Sequence, residues 1–341
     1  MIHCQTSHFR LVSRLGTPKA CRQYLRYAST SASEASKLLL ANYEGRVITR
    51  RQNLDANQLQ KLSLTLNRGN IHSNLDVTQD APPTGTIIPP GYHLAYFTPN
   101  GLESELGADG TDRSFNVSAP FTRRMWAGGR MRWIKGCPLR VGEEAEERTR
   151  LISAEPKINR DGNEMVLVRV EKEFWNEKGL AVVDERSWIF RAGREKSSEN
   201  PQDILLPLVK GPSSVEDVRR QGSVTERHLS WSPVALFRFS ALTFNGHKIH
   251  YDAPWSKSEE GHAGIVVHGP LNLINMLDYW RDVIRDGDNE VGEVVYRATS
   301  PIYAGERYVM SASQNTDQQP GLEILVEKNG VLCMKGQILV S

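Results

Sequence analysis

Four polar residues near position 250 have side chains that can handle protons and water. Asn245, His247, His250 and Asp252 all fall within eight residues. Histidine is the side chain whose ordinary pKa lets it both give and take a proton near neutral pH. The Asn245 amide does not titrate, so it can position a water molecule or a hydroxyl group but cannot act as a base. These residue types predict acid–base chemistry carried by a histidine.

A second feature with chemical potential is a helix start at Gly269. Proline is favoured at the first helical position, which Pro270 would occupy, and apolar residues recur at spacings of three and four from Leu273 to Ile284. The pattern predicts a buried helix over residues 270–285. A helix N-terminus offers free backbone N–H groups to an oxygen that gains negative charge. Since proline has no N–H, the expected donor is Gly269 or a residue beside it.

Two stretches give the chain a resemblance to a known family. Residues 239–252 read FSALTFNGHKIHYD, and residues 123–129 read RRMWAGG. A His-Gly helix start follows eighteen residues after His250. Together these motifs resemble the hydratases of the MaoC-like hot-dog family. Within that family they are most similar to the type 2 hydroxyacyl-thioester dehydratases and the related mesaconyl-CoA hydratases. The resemblance covers most of residues 40–341.

The resemblance implies an α+β double hot dog, in which two curved antiparallel sheets each wrap a helix. It also implies that His250 is the catalytic group and that Asn245 assists it from the position where the wider family has aspartate. His247 stands where the wider family usually has asparagine, so this chain departs from the usual pair of residues. Gly269, His247 and Asp252 are expected to position the substrate or its thioester oxygen. A single histidine would then act as base in one half of the reaction and as acid in the other.

A cluster of cations follows the second motif. Five basic residues and two tryptophans lie between positions 123 and 135. Arg123, Arg124 and Arg130 are candidates for binding the phosphates of coenzyme A or of a carrier protein's phosphopantetheine, because guanidinium groups suit phosphate. A solvated strand edge is the alternative, and the residues by themselves favour it. The binding hypothesis therefore depends on the resemblance.

Composition and charge narrow the class of protein. The chain has 341 residues, 39% hydrophobic and 24% charged, which is typical of a globular protein of two domains or one duplicated domain. Its net charge of +2 gives no reason to expect a nucleic-acid partner. No apolar run approaches the roughly 20 residues of a membrane-spanning helix. The sequence has neither a glycine-rich nucleotide motif nor zinc-like cysteine spacing, so no cofactor and no metal is expected.

Residues 1–32 differ from the rest of the chain. They hold five basic residues and no acidic one, together with Ser29, Thr30 and Ser31. Without them the net charge falls from +2 to −3. This composition is typical of a mitochondrial presequence, so we expect a location in the mitochondrial matrix. A basic tail without a targeting function is the alternative.

A short internal echo indicates a duplicated unit. Residues 138–143 read PLRVGE and residues 301–306 read PIYAGE, each before a run of strands that closes its half of the chain. We expect an N-terminal hot-dog-like domain over 33–192, a linker over 193–225, and a C-terminal hot-dog domain with the catalytic motif over 226–341.

Local patterns place the elements inside each half. Alternating residues predict strands over 165–175 and 180–190, and Asn-Gly at 329–330 predicts a hairpin. Residues rich in alanine, leucine, glutamate and lysine predict helix over 33–64. The N-terminal half has no counterpart of the helix at 270–285, so its central helix should be short or degenerate.

The resemblance leads to two enzymatic hypotheses and a third without catalysis. The first is a mitochondrial 3-hydroxyacyl-thioester dehydratase of organellar fatty-acid synthesis, acting on acyl-CoA or acyl carrier protein thioesters. The second is a hydratase of short branched dicarboxylyl-CoA esters such as itaconyl- or mesaconyl-CoA. An apolar tunnel would favour the first, and a buried arginine near His250 would favour the second. The third is a non-catalytic scaffold that binds acyl thioesters. The sequence leaves open whether the protein is a monomer or a homodimer.

Overall fold

One antiparallel sheet of eleven strands forms the frame of the molecule in the residues that the structure describes. The computed structural model describes residues 30–72, 74–193, 209, 211–219, 225–314 and 321–341. The strands are β1 (Ile48–Asn53), β2 (Asn70–His72), β3 (Leu75–Asp76), β4 (Arg123–Trp133), β5 (Glu144–Ile158), β6 (Glu164–Asn176), β7 (Gly179–Arg191), β8 (Ser214–Val218), β9 (Glu226–Ser230), β10 (Val291–Ala298), β11 (Tyr308–Gln314), β12 (Leu322–Lys328) and β13 (Val331–Val340). The sheet has the order β1-β5-β6-β7-β4-β10-β13-β12-β11-β9-β8, and β2 and β3 form a separate hairpin.

The helices are few and mostly short. Ser31 and Glu34 form a capping box at the helix that begins at Ala32. Ser232 caps the helix that begins at Pro233 by accepting a hydrogen bond from the backbone N–H of Ala235. Among the described residues, no helix has the length and apolar character needed to cross a membrane. The helices are α1 (Ala32–Tyr43), α2 (Ala56–Thr65), α3 (Pro233–Leu242), α4 (Ala253–Ser258) and α5 (Gly269–Tyr279), with 3-10 turns at Tyr92–Ala95, Glu103–Glu105 and Lys248–His250.

The sheet consists of two similar halves that meet at its centre. In the N-terminal half β5, β6, β7 and β4 pair in that order, and in the C-terminal half β11, β12, β13 and β10 repeat the arrangement. Strands β4 and β10 pair antiparallel, with Gly129 opposite Tyr296, so the two curved sheets join into one. This is the double hot-dog fold that the sequence predicts.

Helix α5 fills the concave face of the C-terminal half. Every residue from Leu271 to Tyr279 is buried, and the helix continues into a π-helical turn over Trp280–Ile284. The predicted helix over 270–285 is therefore confirmed. The strand behind the helix carries Gly336, where a β-carbon would collide with the Met276 sulfur, so this glycine allows the helix to lie close to the sheet.

The N-terminal half has no such central helix in its described residues. The short turn Tyr92–Ala95 and the loops around it cover one end of the sheet, and α1 packs on the other end against Val166 and Val168. Tyr92 donates a 2.9 Å hydrogen bond to Asp278, which ties this covering segment to the end of α5. The degenerate helix that the sequence predicts here is thus replaced by loops, and space remains between the two packed ends.

The structure corrects one predicted element and confirms two others. The continuous helix predicted over 33–64 is wrong, because β1 separates α1 from α2. Gly45, with φ of +66°, lies beyond the end of α1, and the β-branched residues at 47–49 lead into a strand that pairs with β5. The strands predicted at 165–175 and 180–190 and the hairpin at 329–330 are confirmed. The predicted linker lies partly outside the described residues, and its described part contains β8.

Candidate active site

The loop after α3 carries the predicted catalytic residues. Phe244 adopts φ of +48°, and the Asn245 backbone N–H donates to the Ser240 carbonyl at 2.8 Å, which ends the helix. The Asn245 side-chain oxygen then accepts a 3.1 Å hydrogen bond from the His247 backbone N–H and closes an Asx turn. Asn245 therefore shapes the loop with its oxygen, and it lines the same cavity as His250.

His250 is buried and held in a defined orientation. Its Nδ1 lies 2.8 Å from the Val266 carbonyl oxygen. Because a carbonyl only accepts, Nδ1 carries the proton in the neutral ring and Nε2 has the free lone pair. Burial lowers the pKa of His250 to about 4, so the imidazole is neutral at pH 7. The site thus presents a neutral base of fixed tautomer.

A second buried histidine lies directly against the first. The rings of His268 and His250 stack with centroids 3.6 Å apart, and His268 Nε2 lies 2.9 Å from the Ser240 hydroxyl. Burial holds the pKa of His268 well below its ordinary value. The one signal for this stacking in the sequence is the position of His268 next to Gly269. His268 therefore supports the His250 ring and restricts how it can tilt.

His247 lies at the edge of the same group. Its ring centroid is 5.5 Å from that of His250, and its Nε2 is 3.8 Å from an oxygen of Asp109. Burial lowers the pKa of His247 well below its ordinary value, and the nearby charge of Arg124 lowers it further. The predicted positioning role of His247 thus has a location beside His250.

The N-terminus of α5 lies at the cavity, as the predicted role of Gly269 requires. Gly269, Pro270 and His250 all line this space. A β-carbon on Gly269 would lie 3.1 Å from the Trp126 ring, so the glycine allows close packing against this tryptophan of the N-terminal half. The first N–H groups of a helix have no intrahelical acceptor, so the Gly269 N–H is available as a donor to an oxyanion.

Asp252 has a structural position. Its side chain accepts a 2.9 Å hydrogen bond from the Trp255 backbone N–H and so caps α4. Asp252 was expected to position the substrate, but it is not among the residues that line the cavity. Asp252 thus fixes the chain after the catalytic loop.

A loop of the N-terminal half supports the catalytic loop from the other side. The Lys248 backbone N–H donates to the Asp109 carbonyl at 2.9 Å, and the Lys248 ammonium donates to the Ala108 carbonyl at 2.8 Å. Gly110 has φ of +83°, and a β-carbon there would collide with the Gly246 carbonyl oxygen. The sequence analysis missed this contact, for which the glycines at 107 and 110 are the one available signal.

The three arginines predicted to bind phosphate lie in different surroundings. Arg123 pairs with Glu260 and Arg130 pairs with Glu293, each at 2.6 Å, and neither arginine lines the cavity. Arg124 does line it, and this guanidinium is mostly buried and 3.7 Å from Asp112. Of these three arginines the structure thus brings only Arg124 to the cavity that His250 lines, and the phosphate-binding role stays a prediction.

The cavity extends from the catalytic loop into the N-terminal half. It has a volume of about 1020 Å³, and Lys172, Arg186 and Trp188 of the N-terminal half are part of its lining. Its walls combine apolar and aromatic side chains with several cations. The cations at the cavity are Arg50, Arg124, Lys172, Arg186, Arg191 and Arg297.

Comparison with known proteins places this site in a family. A family model described as hydroxyacyl-thioester dehydratase type 2 matches residues 91–304. The chain belongs to the hydroxyacyl-thioester dehydratase type 2 family. The matched region includes both the catalytic loop and the start of α5. The chain is therefore a hydro-lyase that acts on acyl thioesters, which speaks against the non-catalytic scaffold.

Two curated relatives of this dehydratase family and one solved structure resemble the chain over most of its length. Mesaconyl-C(4)-CoA hydratase of Chloroflexus aurantiacus is 30% identical over 248 residues, covering 72% of this chain and 82% of the relative. Mitochondrial hydroxyacyl-thioester dehydratase type 2 of Schizosaccharomyces pombe is 26% identical over 242 residues, covering 67% and 78%. A MaoC-like dehydratase from Phytophthora capsici, 14% identical, superposes with a TM-score of 0.56 and coverage of 89% and 98%. At that identity the structural likeness concerns the fold alone.

Proposed function

We propose that the protein catalyses the reversible addition of water to the C2–C3 double bond of a 2-enoyl thioester, with His250 as the single acid–base group. The observation that carries this proposal is the neutral, buried His250 with its proton fixed on Nδ1 by Val266. Its Nε2 is then free to accept a proton from water. The start of α5 lies at the same cavity and supplies the donor for the thioester oxygen.

In the hydration direction the steps balance with one histidine. His250 Nε2 takes a proton from water while the water oxygen bonds to C3. The π electrons of the double bond move toward C2 and the thioester oxygen, where the Gly269 N–H stabilises the enolate charge. The His250 imidazolium then returns its proton to C2, which restores the neutral ring. Asn245 is proposed to hold the water, or in the reverse direction the 3-hydroxyl group.

Replacing His250 tests this proposal. With the full chain and 2-enoyl-CoA esters, His250→Ala should lower kcat by about 10² to 10⁴-fold, the usual contribution of a general acid–base group. The loss of enone absorbance measures the reaction. His228→Ala is a matched control, since His228 lies on β9 and pairs with Glu226 at 3.2 Å, away from the cavity. A folded His250→Ala variant with turnover within a few-fold of wild type would overturn the assignment of the base.

For the acyl group, we propose a short chain that bears a free carboxylate, as in mesaconyl- or itaconyl-CoA. Buried cations near the catalytic residues support this choice over a long straight chain: Arg124 lowers the pKa of His247 through its charge, and Lys172 and Arg186 line the same cavity. An alkyl chain would gain nothing from these desolvated charges. The relative from Chloroflexus aurantiacus, named for mesaconyl-C(4)-CoA, agrees with this proposal.

The second candidate is dehydration of straight-chain 3-hydroxyacyl thioesters in mitochondrial fatty-acid synthesis. Its support is the relative named as mitochondrial and the arginine- and serine-rich residues 1–32, of which 1–29 lie outside the described residues. A panel of crotonyl-, octenoyl-, mesaconyl- and itaconyl-CoA separates the candidates. Higher kcat/KM on octenoyl-CoA, together with matrix import of a reporter fused to residues 1–32, would favour the second candidate.

A further inference from the structure

A buried cluster of charged side chains lies on the concave face of the N-terminal half and has no part in the acid–base steps. Glu147 accepts hydrogen bonds from Arg50 at 2.8 Å and from Lys172 at 2.9 Å. One strand further, Asp184 pairs with Arg186 at 2.6 Å. These five residues come from four adjacent strands, β1, β5, β6 and β7, and their contacts join them across the sheet.

Within this cluster of five residues, only the cations line the cavity. Arg50, Lys172 and Arg186 line it, whereas Glu147 and Asp184 are at most 1% exposed and lie behind the cations. The cluster holds three cations and two carboxylates, so one positive charge has no counterion within it. A buried charge without a partner is costly. The cluster is therefore suited to receive one anion from the side of the cavity.

The cations also keep hydrogen-bond donors that their partners do not use. Among the described residues, Lys172 donates one hydrogen bond, to Glu147, although an ammonium has three donors. Arg186 directs Nε and one Nη nitrogen at the same oxygen of Asp184, and its other Nη group has no hydrogen-bond acceptor within the part of the chain that the structure describes. A carboxylate has two oxygens that accept such donors.

The cluster lies at a short distance from the reacting atoms. The Arg186 guanidinium lies 5.5 Å from the centroid of the Trp126 ring, and the same ring packs against Gly269 at the start of α5. One indole thus separates Arg186 from the proposed oxyanion donor. An acyl group whose thioester lies at Gly269 needs only a few carbon atoms to bring a second carboxylate to the cluster.

We propose that Lys172 and Arg186 form the subsite that binds the free carboxylate of the acyl group and so select dicarboxylyl thioesters. This inference rests on the proposed hydratase function and adds the residues that decide its specificity. Arg50 and Glu147 hold Lys172 in place, and Asp184 holds Arg186.

The subsite predicts a pH dependence of substrate binding. Burial, together with the charge of Arg186, lowers the pKa of Lys172 to about 8. The groups that face Lys172 are Arg50, Glu147 and Arg186, with Thr149 and Asp184 at the same level of the sheet. From the turn Tyr92–Ala95, His93 Nε2 lies 3.9 Å from Asp184. Lys172 is charged below this pKa and neutral above it. The KM for a dicarboxylyl thioester should therefore rise as the pH passes about 8, and the KM for crotonyl-CoA should not.

Mesaconyl-CoA and crotonyl-CoA form a matched pair of substrates for the test, since crotonyl-CoA has a methyl group in place of the distal carboxylate. Lys172→Met should lower kcat/KM on mesaconyl-CoA by at least about tenfold, the effect of losing one hydrogen bond to a charged group. Turnover of crotonyl-CoA should stay within about twofold. Lys157→Met, at an exposed lysine of β5 that pairs with Glu155 at 2.8 Å outside the cavity, should change neither.

A second variant controls for loss of activity through misfolding. Glu147→Gln with Lys172→Met removes one charge of each sign and leaves no additional buried carboxylate without a partner. Its loss should again be confined to mesaconyl-CoA. Equal losses on both substrates, or none on mesaconyl-CoA, would overturn the subsite. A wild-type protein that hydrates crotonyl-CoA but not mesaconyl-CoA would also overturn it while leaving the hydratase function intact. Inactivity of the wild type on every thioester would instead count against the proposed function.

Discussion

The two halves of the sheet have the same strand order but enclose different contents. In the C-terminal half α5 fills the concave face with apolar side chains, and its N-terminus meets His250. In the N-terminal half the corresponding face carries Lys172, Arg186 and their carboxylate partners beside an open cavity. From this comparison we infer that the packed half supplies the acid–base group and that the open half binds the acyl group.

The largest difference between the two halves should appear in the free energy of unfolding when a core side chain is truncated in each. Leu273 in α5 is fully buried, so Leu273→Ala should destabilise the protein by about 2–5 kcal/mol, the range for leucine truncations in packed cores. Leu94 lines the cavity, and part of its surroundings is already empty, so Leu94→Ala should cost less. Urea denaturation of both variants measures the difference. Equal losses would contradict the contrast between a packed and an open half.

A smaller effect is expected where the two halves support each other. Gly110→Ala places a β-carbon against the Gly246 carbonyl at a φ of +83°, which costs about 1–3 kcal/mol in strain. The Asp109 contact with Lys248 should loosen. The fractional loss of kcat should therefore exceed the fractional loss in the free energy of unfolding. Gly162→Ala provides a control, because Gly162 has a similar φ of +82° in a turn with no atom near its β-carbon position. A loss of kcat as small as that of Gly162→Ala would show that the interdomain loop does not support the site.

The smallest effect is the pH dependence of kcat/KM near neutral pH, which reports on His250 in the packed half. With crotonyl-CoA, kcat/KM should change by less than about twofold between pH 8 and 5, because His250 has a pKa of about 4 and stays neutral there. Below pH 5 the base becomes protonated and the rate should fall about tenfold per unit once the pH is below 4. A pH–rate profile of the free enzyme measures this. A midpoint near the ordinary histidine pKa would contradict a fully buried base.

Several features of the fold follow from local sequence signals. Asn329 and Gly330 both adopt positive φ, as the predicted hairpin turn requires, and the alternating valines of β6 are buried on one face. The predicted helix over 33–64 failed because composition does not reveal that residues 48–53 pair with β5 at the sheet edge. Such a strand gains its stability from a partner distant in sequence, which a local pattern does not contain.

From the sequence alone, short-range periodicity determined the helix at Gly269. The double hot-dog fold and the choice of His250 and Asn245 as candidate catalytic residues came from the family resemblance that two compact motifs carry. Only the tertiary structure brought the Val266 carbonyl to His250 and stacked His268 against it. The same holds for the charge cluster, since strand register places Thr149 and Asp184 on either side of Lys172. The physical reason is that burial, charge pairing and pKa depend on neighbours from other strands.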